Sequence, residues 1–252
     1  MIFKFQINKH YLLVHALRQY DLPFDEWKEI KKQFWEKFPN AFYLLEAHPE
    51  AIFIKDDSLE GLNNAYQELV SFIKEIIKSD EFNRLCSETE KYLVVIKKQW
   101  EQNEKEAIKI LEEISGLKIQ IEPIDVFITH PNLRNGVNFP QFNAIGWGHS
   151  EDWQNYSTIY ICHELMHILI HQKSKKEESK LMHALIELLT DNELRIRLNK
   201  KGKYFEEGGL AIGHPYFKKL EEEILPFWQD YLKDRKGRDL FDLENELKNK
   251  IK

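Results

Sequence analysis

Residues 156–172 read YSTIYICHELMHILIHQ. At the centre stands His163-Glu164-Leu165-Met166-His167, the pattern H-E-x-x-H. On a helix of 3.6 residues per turn, side chains four apart differ by about 40°, so both imidazoles leave one face. Two neutral imidazoles converging in this way suit a Zn²⁺ ion, at roughly 2.0–2.1 Å each. Glu164 follows the first histidine directly and is a candidate general base, not a ligand. Ile159, Ile161, Cys162, Leu165, Met166, Ile168, Leu169 and Ile170 make the stretch apolar on most sides, which predicts a buried helix. Two histidines and a glutamate are costly there without partners, and a metal supplies them.

A catalytic zinc site needs a third protein ligand and an open position. The next helical run is expected over 177–199, EESKLMHALIELLTDNELRIRLN. Glu187 interrupts its apolar body, and Asp191 follows four residues later on the same face. The loop at 173–176 is short and charged, so the two helices are expected to pack antiparallel and to bring Glu187 over His163 and His167. His183, four residues before Glu187, is the other candidate third ligand.

His163-Glu164-x-x-His167, nineteen residues, then Glu187-x-x-x-Asp191 resembles the gluzincin, or thermolysin-like, zinc metallopeptidases. The resemblance spans about Asn143 to Asp191. It implies that His163, His167 and Glu187 bind Zn²⁺, that Glu164 activates water, and that Asp191 holds the His163 ring from behind. It implies an edge strand before the motif helix, here Asn143-Ala144-Ile145-Gly146-Trp147, whose backbone pairs with an extended substrate; the spacing to Trp147 is one residue longer than in the family. It also implies a Tyr or His donor to the oxyanion. Tyr204 and His214 are the leading candidates by position, with Tyr216 and His149 behind them. The third histidine of the metzincin pattern is missing: His171 follows His167 by four, with no glycine and histidine at the metzincin positions.

Elsewhere the chain bounds the reading. Its 252 residues, 42% hydrophobic and 13% aromatic, suffice for a packed core. A net charge of −6 argues against a nucleic-acid partner, which favours a basic face. Cys86 and Cys162 read as buried thiols, not as a disulfide framework. The N-terminus has no secretory pattern and no run of 18 apolar residues occurs, so the expectation is a cytoplasmic protein with no membrane partner. A short strand is expected at 2–7, a helix at 25–38, strands at 42–47 and 51–55, a helix from Ser58 to about Lys78 and a long helix from Asp80 to Ser115. Alternation at 118–122 and the run Ile124 to Thr129 predict two more strands, and Ser150-Glu151-Asp152 a helix start. Pro226 starts or kinks one of the C-terminal helices.

The expected fold class is α+β, mainly helical: a helical N-terminal region at 1–116 and a zincin-like catalytic domain at 117–252, with a small sheet, an H-E-x-x-H helix and a third-ligand helix. The expected function is zinc-dependent peptide hydrolysis. The absence of a G-x-M-E-N segment favours an endopeptidase over an aminopeptidase. The alternatives are a catalytically inactive zinc-binding module for interaction or sensing, a helical adaptor, or a hydrolase of a non-peptide amide or ester. The sequence leaves the oligomeric state open.

Overall fold

The computed structural model describes residues 3–18, 24–41, 59, 67–120, 122–175 and 178–251. The strands expected at 42–47 and 51–55, and Ser58, lie outside these residues. The architecture is α+β, mainly helical with a small mixed sheet. The chain divides into two compact units, one of Ile2–Lys97 with Pro123–Ser150, the other of Lys98–Glu122 with Glu151–Lys252. A single boundary at Gly116 is therefore replaced by an interleaved one. The physical reason is strand pairing: the chain's first strand finds its partner after Gly116.

In the first unit, β1 (Phe3–Gln6) leads into α1 (Lys9–Arg18), whose N-terminus is capped by Asn8 Oδ1 accepting the Tyr11 N–H at 3.0 Å. Seven consecutive residues of α1, Tyr11 to Leu17, are buried, so this helix is enclosed rather than amphipathic. Helices α2 (Asp25–Lys37) and α3 (Gln67–Ile77) join it through a cluster of rings in which Phe34 meets Trp35, Phe38 and Phe72. The long helix α4 (Asp80–Ser115) begins in this unit.

The sheet contains β1, β2 (Ile124–Ile128), β3 (Asn135–Phe139) and β4 (Ala144–Gly148) in the order β1-β2-β4-β3. Strands β1, β2 and β4 run parallel, and β3 runs antiparallel to β4. Ala144 pairs with Asp125 on one side and Phe139 on the other, and Trp147 pairs with Ile128 and Gly136. The strand expected to be an open edge is thus internal. β3 occupies the position that an extended substrate would take, and the edge reading of Asn143, Ala144 and Trp147 is corrected. Asn143 is left-handed (φ 49°) and ends the 3₁₀ turn that feeds β4. Gly146 makes room for Tyr11: a Cβ there would sit 2.1 Å from the Tyr11 hydroxyl, which accepts a hydrogen bond from Asn135 Nδ2 at 3.0 Å.

In the second unit, the end of α4 buries Trp100, Ala107, Ile110, Leu111 and Ile114, a stripe of helical spacing. Residues 116–120 form no strand; the Ile119 N–H donates to Glu112 Oε1 at 2.9 Å instead. The motif helix α5 (Tyr156–Ser174) is buried almost all round, as its composition requires. It starts at Tyr156, not at Ser150-Glu151-Asp152. Glu151 instead reaches its first turn and accepts the Ser157 N–H at 3.2 Å, while Gln99 Oε1 accepts the Thr158 N–H at 2.9 Å. Side chains thereby satisfy amides that no helical carbonyl reaches.

Helix α6 (Lys180–Glu187), capped by Ser179 on the Met182 N–H at 3.0 Å, continues into a π-helical segment (Leu188–Leu194) and then α7 (Arg195–Asn199). A small hairpin, β5 (Glu206–Glu207) with β6 (Leu210–Ala211), precedes α8 (Lys218–Lys233) and α9 (Leu240–Lys248). Pro226 lies inside α8, which buries Glu221, Ile224, Trp228 and Tyr231. No helix among the described residues is long and apolar enough to cross a membrane.

His15 gives the first unit a pH dependence. It is 6% exposed, packed edge-on against Tyr11 at 4.4 Å, and neither ring nitrogen has a hydrogen-bond partner. Burial, with a smaller push from the Arg18 charge, lowers its pKa to about 3. Below its unfolded value the unfolded chain binds a proton that the folded chain refuses. Stability is therefore full above pH ~6.5 and is lost as pH falls toward ~3, by a few kcal/mol in all. His15→Leu is expected to raise the urea midpoint at pH 4.5 more than at pH 7.5. An equal change at both pH values contradicts this.

Candidate metal centre

His163 and His167 leave one face of α5 as their spacing predicts, and their Nε2 atoms come to 2.9 Å of each other. Each ring is held from behind by a carboxylate. His163 Nδ1–H donates to Asp191 Oδ1 at 2.8 Å, and His167 Nδ1–H donates to Glu178 Oε2 at 2.7 Å. With both Nδ1 atoms donating, both Nε2 atoms turn lone pairs toward the same small volume. Two lone pairs at this distance need a proton or a cation between them. This is the carboxylate–histidine pairing that fixes tautomer and raises ligand basicity in metal sites.

Helix α6 and its π-helical continuation bring further donors to the same place. His183 contributes a ring nitrogen lying within 4.8 Å of ligand nitrogens from His163 and His167, which are within that limit of each other. His183, Glu187 and His214 form a second such group. His183 is oriented by Glu178 Oε1, 3.1 Å from its Nδ1, while its Nε2 lies 3.5 Å from Glu187 Oε1, too far for a sound hydrogen bond. Glu187 therefore adjoins the paired imidazoles through His183. It is fully buried, and accepts from the His214 ring Nδ1 at 2.6 Å and from the His214 backbone N–H at 2.9 Å.

The backbone is shaped for these contacts. Gly213 has φ +81°, and a Cβ there would fall 2.6 Å from Glu187 Oε2. Only glycine adopts this conformation cheaply while letting the next amide reach the carboxylate. The segment carrying Asp191 bonds i→i+5, a widened turn often found at functional sites. Side chains satisfy carbonyls along it: Asn192 Nδ2 donates to the Glu187 carbonyl at 3.2 Å and Arg195 Nε to the Asp191 carbonyl at 2.7 Å. Thr190 Oγ1 donates to the Ile186 carbonyl at 2.7 Å and lies 3.2 Å from His163 Nδ1. Arg195, fully buried, also pairs with Glu207 and the Lys203 carbonyl, which ties the β5–β6 hairpin to this segment.

The electrostatics follow from burial opposed by pairing. Burial alone depresses the His163 imidazole, but the Asp191 charge and hydrogen bond, with Glu164 and Glu187 beyond, lift it to about 9. Burial would raise the Glu187 carboxyl, yet the adjacent His183 ring and the two hydrogen bonds from His214 hold it at about 2. Glu178 is held at about 2 against burial by His167 and His183. Burial first, then the charges of Glu187 and Asp191, push Glu221 up to about 8. Several buried polar atoms here lack a hydrogen bond: His183 Nε2, Asp191 Oδ2 and both Glu221 oxygens. A nitrogen-and-oxygen donor set with uncompensated buried carboxylates fits a divalent cation.

Of the residues anticipated from sequence, His163 and His167 converge with His183, the alternative third ligand, whereas Glu187 groups with His183 and His214; Asp191 holds His163, and Glu164 is buried on the same helix. Tyr204 is not part of this group by its hydrogen bonds: its hydroxyl donates to Glu193 Oε2 at 2.5 Å and accepts from Trp228 Nε1 at 3.0 Å. Sequence reasoning missed Glu178, Thr190 and Glu221. Glu221 had a signal: it stands three before Ile224 and seven before Trp228, in line with the buried stripe of α8. No family model matches the chain, and no characterised protein or solved structure matches it.

Asp191→Asn and Glu178→Gln each remove an orienting charge and are expected to weaken metal binding by about 10–100-fold, read by competition with a chromophoric chelator. Unchanged affinity in both variants contradicts the orienting role. With His163 protonated below about pH 9 in the metal-free protein, a metal must displace that proton. Apparent affinity is then expected to rise from pH 7 to 9, with proton release measurable by calorimetry in buffers of different ionisation enthalpy.

Proposed function

We propose that the chain is a zinc-dependent hydrolase of amide bonds, a metallopeptidase whose second unit is zincin-like. The observation that carries this is the pair of Nε2 atoms 2.9 Å apart, each imidazole fixed from behind by a carboxylate, with a motif glutamate beside them. His163, His167 and Glu187 would hold the ion, with His183 adjoining as the competing third ligand. When bound, a Zn²⁺ ion supplies Lewis acidity, polarising a carbonyl and lowering the pKa of water toward ~7.

The chain's own residues do the rest. Asp191 and Glu178 keep the Nδ1–H tautomers, so that Nε2 of each ring faces the reacting volume. Glu164 accepts the proton of the attacking water and passes it to the leaving amine. His214 presents Nδ1 to Glu187, which leaves Nε2 of its imidazolium as the candidate oxyanion donor, whereas Tyr204 is committed to Glu193 and Trp228. Because β4 is enclosed by its neighbours, substrate alignment does not use that strand. The absence of a G-x-M-E-N segment favours internal peptide bonds. The two buried free thiols, Cys86 and Cys162, suit the reducing cytoplasm.

Glu164→Gln is expected to keep its metal and lose peptide hydrolysis by about 10²–10⁴-fold, measured on a fluorogenic peptide library with metal content checked by elemental analysis. Full activity would remove Glu164 from the reaction. Glu187→Ala is expected to lose the metal while His183→Ala keeps it at reduced affinity. The reverse result would make His183 the third ligand.

A further inference from the structure

The donor groups around Glu187 exceed what one metal ion requires. His183, Glu187 and His214 form a second ligand group, which shares His183 with the one that contains His163 and His167. Glu187 Oε1 lies 2.6 Å from His214 Nδ1 and 3.5 Å from His183 Nε2. Beside them stands a carboxylate that nothing so far uses. Glu221 is 1% exposed and neither of its oxygens has a hydrogen-bond partner. It lies on the Oε2 side of Glu187, outside the group of three itself: the position of a Cβ on Gly213 would be 2.6 Å from Glu187 Oε2 and 3.7 Å from Glu221 Oε2.

Charge makes the same point. Glu164, Glu187, Asp191 and Glu221 are all buried. Arg195, also buried nearby, is already paired with Glu207. Isolated buried carboxylates are costly, and they find partners or bind metal.

We propose that the chain binds a second divalent cation, held by His183, Glu187 and His214 with Glu221 completing its oxygen donors, so that Glu187 is shared by two neighbouring ions. The mixed imidazole and carboxylate donors select a first-row transition metal or zinc over calcium or magnesium. His214, 47% exposed, gives this position the more open access. The ion there is therefore the weaker and more exchangeable of the two. The inference rests on the proposed primary site at His163 and His167.

The test counts metal on the whole chain. Protein stripped by a chelator, with its fold checked by circular dichroism, is titrated with Zn²⁺ or Co²⁺, freed of excess, and assayed by elemental analysis. Two equivalents are expected for the wild type and one for His214→Ala. Glu221→Gln, which keeps the shape, is expected to weaken the second equivalent at least about tenfold while sparing the first. One equivalent in the wild type, lost in His167→Ala, would overturn the second site and leave the primary one standing. Two equivalents that persist in both His214→Ala and Glu221→Gln would place the second ion elsewhere and overturn this assignment. No bound metal in the wild type would overturn both readings. The wild-type count needs no variant to fold.

Discussion

Burying carboxylates and imidazoles together in an apolar unit is the constraint on which the rest of the second unit depends. A carboxylate removed from water must find a hydrogen-bond donor or a cation. Here Asp191 finds His163, Glu178 finds His167 and His183, and Glu187 finds His214. Each pairing fixes a ring, and the fixed rings turn their other nitrogens toward a shared volume. The order of the site thus comes from satisfying buried charge, and a cation is the natural complement to what stays unsatisfied.

Several local departures from regular structure serve this end. The π-helical segment widens the turn that carries Asp191, and Asn192 and Arg195 take up carbonyls along it. Gly213 removes a side chain where one would collide with Glu187. Arg195, with no exposed surface, joins that segment to the hairpin through Glu207 and Lys203. These residues touch no candidate reacting atom. They set where the donors point, which decides whether a metal ligand binds well or poorly.

Much of the centre was legible in the chain because it is encoded locally. The i,i+4 histidines need only a helix to converge, and Glu187 with Asp191 needs only a second helix. What the sequence hides is set by long-range pairing. Nothing in Asn143 to Trp147 says that β3 folds back along β4 and encloses it. Glu178 sits in a charged loop that resembles solvated turn material, yet its carboxylate bridges two imidazoles. Glu221 opens a run of three glutamates, of which it alone is buried, and only its alignment with Ile224 and Trp228 marks it. The α+β class followed from helical periodicity and two strong strand runs. The interleaving of the two units did not, because it depends on β1 pairing with β2.

Joint ligation of a metal by His163 and His167 is what the remaining roles depend on. X-ray absorption at the zinc edge, on protein purified with its metal, tests it most directly. Expected is a first shell of nitrogen and oxygen at about 2.0–2.1 Å with the outer-shell scattering of at least two imidazoles, and a weakening of that scattering in His163→Ala. A sulfur-dominated shell, or an unchanged imidazole pattern in that variant, would contradict it.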